Sequence, residues 1–219
     1  MAAGRVGPLL QELYRCLHVT YGPQGWWPGE TPFEVAVGAI LTQNTNWGNV
    51  AKAITALKDR DLLTPRALHA LPETELAQLI RPAGYYNLKA RRLKNFLDFL
   101  ANHFENSMAQ LAAGDLASLR PALLSIKGVG PETADSILLY ALDKPTFVVD
   151  AYTCRILSRH GLIAEGCVYE ELRQLFMEHL PAQVSLYQEY HALLVRLGKE
   201  GCRPQPRCAA CPVDGWPPE

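Results

Sequence analysis

The chain has 219 residues, 48% hydrophobic and 20% charged, with 21 Lys and Arg against 22 Asp and Glu for a net charge of -1. This balance excludes a disordered tail, a collagen-like chain and a protein that coats nucleic acid through bulk charge, while the length suffices for one or two domains with a buried core. No apolar run approaches the ~20 residues of a membrane helix. Met1-Ala-Ala-Gly-Arg5 leads into an amphipathic segment rather than an apolar signal core, so secretion is not expected.

Helical periodicity dominates. Leu9, Leu10, Leu13, Tyr14 and Leu17 recur at three-to-four spacing and predict a first helix. A turn-rich stretch, Tyr21 to Glu30, carries Trp26 and Trp27. Thr31 then reads as an N-cap with Pro32 at the first helical position and Glu34 as its capping-box partner. The run from Phe33 to Thr45 is apolar nearly all round and predicts a buried helix. Further helices are expected near 47–59 and after Thr64-Pro65, Leu71-Pro72 and Asp115. Over 87–104, Leu93, Phe96, Leu97, Leu100 and Phe104 form a stripe among Lys89, Arg91, Arg92 and Lys94, with Arg91 and Lys94 expected to project away from it. Helices are also expected at 131–142, 150–160, 168–180 and 183–198. Val148-Val149 is too short to argue for a sheet, so the fold class is all-α with many short helices.

The most informative segment is Leu124-Ser-Ile-Lys-Gly-Val-Gly-Pro-Glu-Thr-Ala-Asp-Ser-Ile-Leu-Leu-Tyr-Ala141. A helix ends, a Gly-Val-Gly turn follows and a second helix begins at Pro131. Gly128 and Gly130 permit positive φ and close backbone approach. The N–H groups at the new helix start, with the positive end of its dipole, suit a phosphate, and Lys127 adds a charge beside them. The alternative is a tight αα-hairpin that needs glycines only to turn.

This hairpin, followed by Phe147-Val-Val-Asp150-Ala-Tyr-Thr-Cys-Arg155, resembles the helix-hairpin-helix plus Gly/Pro–Asp (HhH-GPD) signature of the endonuclease III superfamily of DNA glycosylases. Thr31 to Thr45 resembles that family's first core helix and wedge loop, and the C-terminal cysteines fall where the family places an iron–sulfur cluster. The resemblance runs from about residue 8 to 212. It implies a two-domain endonuclease III-like fold: a six-helix domain over 34–144, and a discontinuous domain of 1–33 plus 145–219 with the cysteine loop. It also implies a monomer acting on double-stranded DNA with a damaged base, with a cytoplasmic, nucleoid-associated, bacterial-type location.

By this resemblance Asp150 is the catalytic carboxylate. Cleaving an N-glycosidic bond builds oxocarbenium charge that an ionised group stabilises, and the same group can orient water. Asp150 also reads as the N-cap of 150–160. Bifunctional members carry a nucleophilic Lys where this chain has Glu132. A carboxylate forms no imine, so a monofunctional glycosylase is expected. The hairpin contacts would come from Lys127, Gly128, Val129 and Gly130. Trp26, Trp27 and Trp47 are candidates for holding an extruded base, each with core packing as the alternative. Gln43 or Asn44 would fill the hole, or else bond at the helix end. Ala39 stands where adenine-mismatch members carry a Glu, which disfavours that activity. The Trp-Trp loop, Ile-Leu-Thr-Gln-Asn-Thr and Gly-x-Glu-x-Ala-Asp look most like the bacterial 3-methyladenine DNA glycosylase III branch. Its cationic alkylated purine would be drawn to an aromatic sandwich. The competing readings are a bifunctional endonuclease III-type glycosylase and AP lyase on oxidised pyrimidines, and a noncatalytic DNA-damage binder.

Six cysteines are present, three of them within ten residues as Cys202-x5-Cys208-x2-Cys211, which favours a metal site over a disulfide framework. The family pattern is Cys-x6-Cys-x2-Cys-x5-Cys. Here the first gap is one residue shorter, and Pro217 stands at the fourth position. A [4Fe–4S] cluster would need a fourth ligand, with Cys167 one candidate; a zinc site and an empty loop remain open. Cys16 and Cys154 read as buried small hydrophobes, and the six His as structural or surface residues. The cluster Lys89, Arg91, Arg92, Lys94 reads either as a DNA-facing patch or as a solvated helix face, and Arg203 and Arg207 are a second candidate contact.

Overall fold

In the computed structural model, which describes residues 5–26, 29–164, 166 and 168–217, the chain divides into two units, Trp27–Lys144 and Met1–Trp26 with Pro145–Glu219. Every regular element among the described residues is helical.

The continuous unit is organised around α2 (Pro32–Leu41). Its start is set locally: Thr31 Oγ1 accepts from the Glu34 N–H at 3.1 Å, and Pro32 takes the first helical position. Glu34 reaches back one residue further than expected, accepting from the Glu30 N–H at 3.1 Å and pairing with Lys58 at 2.9 Å. Phe33 to Leu41 are all buried, as the apolar run requires. The helix ends at Leu41 rather than running to Thr45. Thr42 folds its hydroxyl back onto the Gly38 carbonyl at 2.7 Å, Asn44 turns to φ 54°, and Asn46 caps the next helix.

Around α2 pack α3 (Trp47–Lys58), α4 (Pro65–Ala70), α5 (Glu73–Leu79), α6 (Tyr86–Phe104), α7 (Met108–Ala113), α8 (Leu116–Leu124) and α9 (Pro131–Ser136). The last of these passes into a π-helical segment, Ile137–Ala141, that lies against α2. The expected helix starts at Thr64, Pro72 and Asp115 are found. The α7 helix, bracketed by Ser107 as cap and Gly114, was not foreseen because six residues carry too little periodicity. Arg120 grips the fully buried Asp135 through two bonds of 2.9 and 3.1 Å, joining α8 to α9 across the hairpin.

The second unit is built from α1 (Val6–Tyr21), α10 (Ala151–Arg159), α11 (Tyr169–His179) and α12 (Val184–Glu200). Its core stacks Phe147 on Phe176 at 3.8 Å, with Tyr187 and Tyr190 edge-on. The Tyr190 hydroxyl is satisfied by the Leu10 carbonyl at 2.7 Å. α10 lies against α12 at Gly198, where a Cβ would come within 2.4 Å of Tyr152 Cδ1 and 2.7 Å of its Cβ. Arg155 fastens the same junction by donating to the Gly198 and Cys202 carbonyls at 3.0 and 2.7 Å.

Candidate active site and hairpin

Asp150 is the N-cap of α10. Oδ1 accepts from the Thr153 N–H at 2.8 Å and from the Thr153 hydroxyl at 3.0 Å. Oδ2 faces His191 Nε2 at 3.5 Å, and both side chains are nearly buried. Burial by itself would raise this carboxyl. The nearby His191 ring and the two Thr153 donors outweigh burial and hold it below its ordinary value of 3.8. The group is therefore a carboxylate at neutral pH. Trp26 lies over His191, ring centroids 5.3 Å apart, so this unit gathers Trp26, His191 and Asp150 in one place. Trp27 lies outside the described residues. The upstream loop is pinned by Gln24, whose N–H donates to Glu189 at 2.8 Å and whose side chain bonds the Tyr21 and Gly22 carbonyls.

His191, expected as a structural or surface residue, is buried and faces Asp150. A signal was available: Tyr187, His191 and Leu194 recur at helical spacing, so a titratable ring sits on the buried stripe of α12.

The hairpin lies in the other unit. Gly128 takes φ 98°, and a Cβ there would come within 2.4 Å of Arg92 Cγ, so this glycine is needed twice over. Gly130, which is free to take positive φ, has φ -91°. It caps α9 without a side-chain bond, and a Cβ there meets nothing within 4 Å. The Val129 N–H, a predicted phosphate donor, is taken up by the Ile126 carbonyl at 3.0 Å, and the Val129 side chain is buried. Lys127 is exposed, and its carbonyl accepts from Asn95 at 2.7 Å. Glu132 is exposed in the first turn of α9.

Gln43 is occupied at both ends of its amide. Nε2 donates to the Gly128 carbonyl at 3.1 Å and to Thr133 Oγ1 at 2.8 Å, and Arg92 donates to Oε1. Asn44, next to it, is exposed. Trp47 begins α3 and packs half-buried against the core of its unit. Tyr85 was not singled out in the sequence. It is 69% exposed at φ 45° before α6, a left-handed aromatic that only its surroundings reveal.

The basic run on α6 does not form one continuous exposed face. Lys89 is 1% exposed and donates to the Leu41 and Ala83 carbonyls at 2.8 and 2.7 Å, with burial, aided by Arg92, pushing it down to about 8. Lys94, expected to project outward, instead closes α4 through the Leu68, His69 and Leu71 carbonyls. Arg91 pairs with Glu73 at 3.5 Å.

In the cysteine loop Cys202 is buried, Cys211 half-buried and Cys208 exposed. Burial pushes the Cys211 thiol up, and the nearby Cys202 and Cys208 add to this. Arg159 anchors the loop through Cys202 Sγ at 3.4 Å and the Arg203 and Pro204 carbonyls at 2.5 and 2.8 Å. Arg203 and Arg207 are exposed. Among the described residues no three Cys, His, Asp or Glu side chains surround one point, Pro217 offers no thiol, and Cys167 lies outside those residues. Three thiols so arranged do not complete a four-thiolate cage. Cys16 and Cys154 are half-buried rather than buried, and Cys154 is disulfide-bonded.

Comparison with known proteins converges on one family. The family described as HhH-GPD superfamily base excision DNA repair protein matches residues 37–182. A protein of Methanocaldococcus jannaschii named as a DNA repair glycosylase is 50% identical over 94% of either chain. Endonuclease III of Sulfolobus acidocaldarius is 28% identical over 83% of this chain and 79% of its own. Among solved structures, the Helicobacter pylori 3-methyladenine DNA glycosylase bound to 1,N6-ethenoadenine is similar with a TM-score of 0.77 at 29% identity, covering 89% of this chain and 97% of that one. With the hairpin and Asp150 in place, the chain belongs to the HhH-GPD superfamily of base excision DNA repair proteins and is a DNA N-glycosylase.

Proposed function

We propose that the protein is a monofunctional glycosylase that hydrolyses the bond between deoxyribose and an alkylated purine in double-stranded DNA. The observation that carries this reading is Asp150: a nearly buried carboxylate, held ionised, with one oxygen committed to Thr153 and the other turned toward His191 beside Trp26. Such a group stabilises the oxocarbenium charge as the base departs, and it orients the water that replaces the base. Glu132 supplies no amine for an imine, which favours water as nucleophile and an abasic site as product. A cationic alkylated purine needs little acid assistance to leave and is attracted by the face of Trp26. The similarity to the H. pylori enzyme supports this substrate class.

The hairpin would hold a phosphate through amides at the start of α9, in front of Gly130 where no side chain intervenes. Asn44, exposed beside the bound-up Gln43, is the better candidate to fill the vacated stack, and exposed Tyr85 suits stacking on a neighbouring base.

The test is base release from methylated and from oxidised duplex DNA, with and without alkali and with borohydride. We expect 3-methyladenine release, strand cleavage only after alkali, and no covalent adduct. An adduct would overturn the monofunctional reading, and faster release of oxidised pyrimidines would overturn the substrate. Asp150→Asn keeps the N-cap, since Asn caps as well as Asp. It should bind duplex DNA normally while losing about 1,000-fold in excision rate.

A further inference from the structure

We propose that His191 is a positioning residue for the reaction, fixing the plane of the Asp150 carboxylate and linking it to the Trp26 ring; this rests on the reading of Asp150 and Trp26 given above.

The two Thr153 donors both act on Oδ1. A carboxylate held by one oxygen is incompletely oriented, because the terminal torsion of Asp is broad and costs little to turn. The orientation of Oδ2 must come from a second contact. His191 Nε2 at 3.5 Å is in place to give it, as an N–H donor in one tautomer or as an imidazolium. Such contacts are often long before substrate binds and tighten in the reacting complex. A carboxylate oxygen accepts from more than one direction. His191 therefore occupies one side of Oδ2 and leaves another for the sugar or the water.

The surroundings are arranged to keep the ring there. His191 is 3% exposed on the buried face of α12. The separation of α12 from α10, the helix that Asp150 caps, is set at Gly198, where even one methyl group would strike Tyr152. Arg155 bonds the Gly198 carbonyl from the α10 side. Trp26 leans on the imidazole at 54° between planes. A base stacked on Trp26 would therefore adjoin a ring whose Nε2 meets the carboxylate. A histidine buried only to fill space needs no carboxylate facing its nitrogen and no indole tilted against its ring.

The experiment measures single-turnover release of 3-methyladenine from methylated duplex DNA, and the affinity for a duplex with a tetrahydrofuran abasic analogue. The variants are His191→Phe, His191→Gln, Asp150→Asn and the Asp150→Asn/His191→Phe double. His191→Phe keeps the ring and removes the nitrogen; it should slow release about 100-fold while affinity changes less than about two-fold. His191→Gln, which can place an amide N–H near the Nε2 position, should recover the rate to within about ten-fold of wild type. The double variant should be no slower than Asp150→Asn alone, because the two residues act as one unit. A full rate in His191→Phe with Asp150→Asn inactive would overturn the role of His191 and leave Asp150 standing. His191→Gln losing rate and affinity in parallel with His191→Phe would reduce His191 to packing. An active Asp150→Asn would overturn the reading of Asp150 itself, and this proposal with it.

Discussion

Around the hairpin, polar side chains are taken up internally: Gln43 by the Gly128 carbonyl, Thr133 and Arg92, Asn95 by the Lys127 carbonyl, and Arg120 by Asp135. At Asp150 the arrangement is the reverse. One carboxylate oxygen is committed to the helix start, and the other faces the His191 ring at 3.5 Å. A surface that only has to grip a repeating backbone gains from rigidity, and its glycines let the chain itself be the contact. A group that must meet developing charge gains from a preset orientation with one acceptor direction left open.

This contrast can be broken from either side. The largest effect on stability is expected on the hairpin side. Arg120→Ala strands the Asp135 charge in the core and should cost about 3–5 kcal/mol, read by denaturant unfolding, while Asp135 and Arg120 replaced together should cost less. On the carboxylate side, Gly198→Ala should cost about 1–3 kcal/mol because Tyr152 or α10 must move. It should also slow excision more than it weakens binding, because it separates His191 from Asp150. Unchanged kinetics in a destabilised variant would show that the helix spacing does not control the carboxylate.

Gln43→Ala is expected to lose about 1 kcal/mol of duplex affinity, equally for every base opposite the lesion, because it loosens the hairpin. Asn44→Ala should instead alter the dependence on the opposite base. Exchange of these two outcomes would return the hole-filling role to Gln43.

The smallest effect concerns acid. The folded Asp150 carboxyl lies below 3.8, so its contribution to stability is complete above that pH and is lost as pH falls through the lower folded value. At neutral pH and well above 3.8 its ionisation should not limit the rate. Asp150→Asn should lack this part of the acid unfolding limb.

The sequence carried the helices wherever a cap and a periodic stripe coincided, as at Thr31-Pro32, Thr64-Pro65 and Asp115. It carried Asp150 and the hairpin because their information is local. The fates of the α6 basic residues were not legible, because Lys89 and Lys94 act on carbonyls 6 to 48 residues away. A spacing rule sees a charged face where the fold makes helix caps. The partners of Gln43 were hidden for the same reason, since they come 85 and 90 residues later. Gly130 shows a different limit: the residue type permits positive φ but does not require it.

If, as we propose, the side chain that begins α10 also supports the chemistry, a genetic consequence follows. Asp and Asn codons differ by a single G-to-A change, the outcome of an unrepaired cytosine deamination on the opposite strand. An allele with that change would encode a folded protein that still finds damaged bases and cannot release them. It would shield lesions from other repair enzymes, and its phenotype should be dominant over the intact copy. A complete deletion would be milder.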